Sequence, residues 1–237
     1  MPVHARNFAD LIADLGRQVA ALQSARAQGP ILAAYPSTGL PASPPTGLEV
    51  YVSDLGLRAW WNGTSWVYPS QQIAQQIISS GSTPAITFLN IPQVFTDLQL
   101  IVAARSDGTG TSGYDAAGMQ FNGITSGYNW NTIWSPQSSG TISATGGTSQ
   151  SSMQCAEIWN NHFGSSGRGL MDAVVPNYSR TTGMKGMLSR SGASDSGAAG
   201  ITQTYSGMSN ITAAVTSLTI AMSAGGFTTG IFTLRGL

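Results

Sequence analysis

Residues Asp97–Arg105 read Asp-Leu-Gln-Leu-Ile-Val-Ala-Ala-Arg, a short aliphatic run with polar ends and the length of a strand. It belongs to a series that begins after Thr83. The other members are Ala85–Leu89, Ala117–Asn122, Met153–Trp159, Gly169–Val175, Met184–Arg190, Ile201–Tyr205, Ser217–Ala221 and Phe227–Arg235. Turns rich in Gly, Ser and Asn separate them at fairly regular intervals. Many short strands with no helix-period segment between them point to an antiparallel sandwich or jelly roll. The stretch Ser135–Ser152 is nearly all Ser, Gly and Thr, which reads as a surface loop or a low-complexity hairpin.

Upstream the pattern changes. In residues 6–27, Phe8, Leu11, Leu15 and Leu22 take a and d positions of a heptad, and Ile12 and Val19 widen the stripe. This predicts a helix that Gly29-Pro30 stops. Its apolar face calls for a partner, because an isolated helix of this length is marginal in water. A short parallel coiled coil through Phe8, Leu11, Leu15, Val19 and Leu22 is the expectation, with packing onto its own domain as the alternative. Residues 29–47 contain four prolines between Pro36 and Pro45 and read as a semi-rigid linker. Residues 48–69 read as a small β-meander, with Asn62-Gly63 as the hairpin turn. Trp60, Trp61 and Trp66 are expected to form its core. Residues 70–80 read as a polar connector, helix or strand.

The expected organisation is thus a helix at 1–28, a linker at 29–47, a meander with connector at 48–81, and a sandwich at 82–237. The expected fold class is mostly β: a coiled-coil-like N-terminal helix, a Trp-rich β-meander and a C-terminal jelly-roll-like antiparallel β-sandwich.

Composition restricts the function. Charged residues make up 8% of the 237, with ten basic against ten acidic, where ~25% charged is ordinary. No basic footprint exists for duplex DNA or an anionic membrane. With 41% hydrophobic residues and six Trp, the chain has the means to fold. The single Cys155 excludes an intrachain disulfide and a multi-cysteine zinc site. The apolar runs are too short for a transmembrane helix, which needs ~20 residues. The N-terminus lacks an apolar signal core, so synthesis in a host cytoplasm without classical secretion is expected.

Catalytic signals are sparse. His162 sits in Trp159-Asn160-Asn161-His162-Phe163, but no G-x-S-x-G elbow accompanies it. Asp172 and Glu157 are the acids within strands, where glycosidase chemistry would need a facing pair. Asp107-Gly108-Thr109-Gly110 and Asp195-Ser196-Gly197 lack the acid density of a calcium loop. No Gly-rich run continues to a Lys as a phosphate cradle requires. No catalytic residue, metal or cofactor is expected.

Several stretches carry a resemblance. In order they are Ala85–Phe88, Asn90–Leu100 ending in Ala104-Arg105-Ser106, Phe121-Asn122-Gly123 with Tyr128-Asn129, and Met171-Asp172 through Pro176-Asn177-Tyr178 to Ser189-Arg190-Ser191-Gly192. Ile211–Ile220 and Phe227–Leu237 follow. Together they resemble a β-sandwich module of bacteriophage tail-fibre and minor tail proteins, and the meander Gly47–Trp66 resembles a segment of phage minor structural proteins. The chain departs from the pattern at Arg235, where an aromatic is usual, and is shorter between Val175 and Met184. The resemblance implies a structural virion protein of the tail or capsid surface, a homo-oligomer, expected as a trimer, that meets other virion proteins through its N-terminal helix. Its head would contact a host-surface glycan or protein, with Tyr114, Tyr128, Trp130 and Trp134 as candidate binding aromatics. A capsid head fibre or decoration protein is one alternative. A carbohydrate-binding or polysaccharide-degrading module is another. Neither nucleic-acid binding nor membrane insertion is expected.

Overall fold

The computed structural model describes residues 32–109, 113–136, 140–162, 167–194 and 200–237. The expected N-terminal helix, with Phe8, Leu11, Leu15, Val19 and Leu22, lies outside them. Among the described residues there is no α-helix, and the helical turn seen is the 3-10 turn Ser37–Gly39. The expected fold class is therefore corrected. No N-terminal helix belongs to the fold described, and the β-rich remainder is larger than a jelly roll. Its strands gather into one four-stranded sheet and one twelve-stranded mixed sheet. The C-terminal part is β-rich as expected. The chain divides into two compact units, up to Tyr68 and from Pro69 onward.

The first unit holds β1 (Ala34–Tyr35), β2 (Glu49–Val52), β3 (Leu57–Trp61) and β4 (Trp66–Val67), in that order across the sheet. Strand alternation turns Val50, Val52, Leu57 and Ala59 inward, and all four are buried. The expectation that three tryptophans make this core is corrected. Trp60 follows Ala59 and so points to the opposite, exposed face. Trp61 and Trp66 are half-buried and meet edge to face at 5.7 Å. The Trp66 indole N–H donates to the Pro41 carbonyl at 3.0 Å. The proline-rich segment is thereby held on the sheet, and β1 pairs in parallel with β2. The Asn62-Gly63 turn forms as read: the Asn62 side-chain oxygen accepts the Thr64 and Ser65 N–H groups, each at 2.9 Å, while Gly63 has a φ of 103°.

The second unit runs β5 (Gln71–Ile78), β6 (Ala85–Phe88), β7 (Leu98–Ser106), β8 (Tyr114–Phe121), β9 (Tyr128–Pro136), β10 (Ser143–Gln150), β11 (Met153–Trp159), β12 (Arg168–Val175), β13 (Gly186–Ser194), β14 (Gly200–Ser209), β15 (Leu218–Met222) and β16 (Phe227–Gly236). Residues 71–78, within the stretch read as a connector of helix or strand, are a strand paired with β16. The Ser/Gly/Thr-rich stretch supplies β10, which pairs with β9.

The hydrogen bonding folds this sheet into two layers. A long layer runs β10-β9-β14-β13-β12-β7-β16-β5, with every neighbouring pair antiparallel. A short layer runs β11-β8-β15-β6, again antiparallel. They join where β12 leaves the edge of β7. Gly169 pairs with Ala104, and at Arg105 the edge passes to Trp159 of β11 in a parallel bridge.

Burial alternates along the long layer. Leu98, Leu100, Val102 and Ala104 of β7 point inward with Met171, Ala173 and Val175 of β12 and Phe232 and Leu234 of β16. The short layer returns Ala117, Met119, Phe121, Leu218 and Ile220. Strand β11 crosses the inner face of β12 so closely that a Cβ on Gly169 would lie 2.8 Å from the Ile158 Cα. Only glycine permits that approach.

Candidate functional site

Toward β9 the inner face of the long layer changes character. In register across the strands lie Thr145, Thr132, Tyr205 and Ser189, and one row further on Trp134, Gln203 and Ser191. These are inward positions, and Thr132, Ser189, Ser191, Gln203 and Tyr205 are all buried. Polar side chains at such places need partners. The two serines find theirs in the strand above. The Ser189 hydroxyl donates to the Cys155 carbonyl at 2.7 Å, and the Glu157 N–H reaches Ser191 Oγ at 3.4 Å. They tie β11 to β13 and fix where Glu157 stands.

Glu157 faces this polar patch with its side chain 8% exposed. Gln154 Nε2 donates to its carboxylate at 2.9 Å, and the Gln203 amide supports it from β14. Burial pushes the carboxyl up to about 7; Asp115 adds to the rise through space, and the amides of Gln203 and Gln154 partly offset it. Neighbouring groups respond in kind. Tyr205 is raised by burial, then by Glu157 and Cys155; Tyr114 is raised by burial, then by Glu157.

Between Glu157 and the ends of β9 and β14 lies a cavity of about 200 Å³. Tyr114 and Trp134 flank it, Gln203 and Thr132 line its long-layer wall, and Gln154 and Glu157 its short-layer wall. Behind the aromatics a small apolar cluster of Trp159, Ala193 and Ile201 supports both rings. Among the described residues, Thr132 Oγ1 and Gln203 Oε1 have no hydrogen-bond partner. The Tyr205 hydroxyl lies beside Gln154 and Ser191 but in no bond of normal geometry.

The candidate aromatics separate. Tyr114 and Trp134 meet at this cavity. Trp130 is half-buried beside Gly118 and Gln150 at another hollow. Tyr128 is corrected to a core residue: it is fully buried, its hydroxyl accepting the Phe121 N–H at 2.8 Å and donating to the Ile124 carbonyl at 3.1 Å.

The two strand carboxylates also part. Asp172 projects from the outward face of the long layer, where Gln99 donates to it at 2.8 Å. Glu157 lies within the sandwich. Asp115 pairs opposite Ile158, not Glu157, so its side chain leaves the ladder from the other face, where Ser106 donates to it at 2.5 Å. Among the described residues, no two carboxylates therefore face each other across the cavity as hydrolysis of a glycosidic bond would need. His162 is exposed just beyond β11. Among the described residues no three His, Cys, Asp or Glu side chains gather as a metal site, and no helix is long and apolar enough to cross a membrane.

A second concavity, of about 580 Å³, lies on the outward face of the long layer between Met184, Leu188 and Met208, with Asn129, Asn131 and Asn177 at its rim. Sequence reasoning passed over these residues and over Thr132, Gln203 and Tyr205. The signal for the latter was polar residues recurring at every second position of strands, as in Ser189-x-Ser191 and Gln203-x-Tyr205. Comparison with known protein families, curated proteins and solved structures finds no match to this chain.

Proposed function

We propose that this chain is a structural, non-enzymatic bacteriophage virion protein of the tail-fibre or minor tail class, and that the second unit packs against further copies of itself. The observation that supports this reading is the outward face of the long layer. Ile77, Ile231, Leu170, Leu188, Met208 and Ile133 project from it and are exposed. Ile77, Ile231, Ala103 and Leu170 stand in one continuous row across four strands. Among the described strand residues, Arg105, Arg168, Asp172, Arg190 and Arg235 are the charges that interrupt this face. An aliphatic sheet face of this breadth marks an interaction surface. Methionines at the outward concavity add an adaptable lining. The net charge of zero removes the repulsion that keeps like copies apart.

Light scattering of the full chain should report a multimer, and L170E with I231E should dissociate it while leaving the circular dichroism unchanged. A wild-type monomer at all concentrations would refute self-packing. The virion assignment is tested separately by immunogold labelling of purified phage particles with antibody against residues 69–237. Label on the tail or on the capsid shell distinguishes a tail protein from a decoration protein, and unlabelled particles overturn both.

A further inference from the structure

The interlayer cavity holds polar groups that the protein itself leaves unanswered. Thr132 Oγ1 and Gln203 Oε1 belong to side chains 4% and 5% exposed, and both line the cavity without a partner among the described residues. A buried donor or acceptor left unmade is costly, so such groups mark a place where something else binds.

The chemistry of the wall narrows what that is. Gln203 Oε1 accepts, the Thr132 hydroxyl both donates and accepts, and the Glu157 carboxyl does either according to its proton. Among the described residues no cationic side chain lines the cavity, which argues against phosphate and sulfate. Glu157 already receives Gln154 and Gln203, which weakens the claim of an ammonium ligand. Tyr114 and Trp134 offer ring surface, which suits the C–H face of a saturated ring. The volume of about 200 Å³ is below the ~300–1,000 Å³ of sites for drug-sized ligands, so one ring fits and a chain of them does not.

We propose that this cavity binds a single uncharged polyhydroxylated ring, a hexopyranose unit, held by Thr132, Gln203 and Glu157 between Tyr114 and Trp134. The hydroxyls of the ring donate to Gln203 Oε1 and exchange hydrogen bonds with Thr132 and Glu157. The site binds a terminal residue without cleaving it. This inference stands apart from the virion reading, and its failure would leave that reading as it was.

The test is a nuclear magnetic resonance titration of the full chain with the methyl pyranosides of glucose, galactose and mannose. The Trp134 indole N–H is assigned from the W134F spectrum. At least one pyranoside should shift the Trp134 indole and the Gln203 side-chain amide saturably. T132V should weaken that binding by about tenfold, the worth of one hydrogen bond to the ligand. The same variant should melt higher than wild type, because it removes a buried hydroxyl that has no partner. Loss of binding with a raised melting temperature cannot be misfolding. Three results would overturn the proposal. One is no response to any pyranoside up to its solubility limit. Another is a response to tetramethylammonium alone, which would make the site an ammonium cage. The third is undiminished pyranoside affinity in T132V and Q203L, which would place binding elsewhere.

Discussion

Glu157 is a buried acid that the fold solvates poorly. Its carboxyl is buried, lacks a cationic neighbour in the cavity wall among the described residues, and is raised to about 7. The unfolded chain gives up this proton near pH 4.5, the folded chain only near 7. Between those values the unfolded state holds fewer protons, so stability is full below the window and falls as pH rises through it. The loss amounts to about 3 kcal/mol at most. Melting temperatures taken from pH 4 to pH 8 should show this decline, and E157Q should flatten it, since glutamine still accepts from Gln154. A slope unchanged in E157Q would assign the decline to another group. Tyr128 has the opposite character, because its hydroxyl is satisfied at both ends. Y128F should cost ~1–3 kcal/mol in urea unfolding with no effect on the Trp134 indole resonance. Why one aromatic was legible and another was not follows from where each is paired. Tyr114 and Trp134 were singled out by their neighbours in sequence, and they reach the cavity. Tyr128 looked the same locally, but its burial depends on Phe121 and on strands far along the chain. Glu157 was visible as a strand acid. Its partner Gln203 was not, since nothing near it in sequence announces the register.

At the scale of elements, alternation located most of the strands of the second unit, with β7, β11 and β12 read to within a residue at each end. It left β5 open between helix and strand and β10 open between loop and hairpin, and it missed β9. Strand β5 reads Gln-Gln-Ile-Ala-Gln-Gln-Ile-Ile, polar because it lies at the edge of the long layer. Strand β9 has strand formers in Tyr128, Trp130, Thr132, Ile133 and Trp134, but Asn129 and Asn131 between them are turn residues by type and disguise it. Strand β10 has almost no side chain to bury and owes its place to β9. The crossing of β11 over β12 was equally invisible, because Gly169 at the head of a strand run gives no sign of which backbone lies against it. A methyl group there would meet the Ile158 Cα at 2.8 Å and the Glu157 carbonyl at 2.9 Å, and backbone cannot step aside as a side chain can. G169A should therefore destabilise the second unit by ~1–3 kcal/mol and disturb Glu157 more than the distant Phe227–Phe232 ring contact. Denaturant unfolding together with the indole resonances of Trp134 and Trp159 measures both effects.

For the whole molecule, the two-unit division fell earlier than the sequence boundaries implied. Composition marks Pro36–Pro45 as a spacer, yet those residues are pinned to the small sheet through Trp66, and the break comes at Tyr68 and Pro69. Residues 69–237 expressed alone should fold and melt in one transition that coincides with a transition of the full chain; failure to fold would show that the small sheet is required. The last pairing in the long layer has a consequence for synthesis. Strand β5 opens the second unit and, among the described residues, pairs with β16 alone, with Gln71 opposite Gly236. A ribosome therefore releases the first strand long before its mate exists, and contacts so remote in sequence form slowly. Until then an unmated, glutamine-rich edge is exposed to every other nascent copy. The same adjacency allows the order to be rewritten: a short linker from Leu237 to Pro69, with new ends opened in an exposed turn, would let β16 and β5 emerge together.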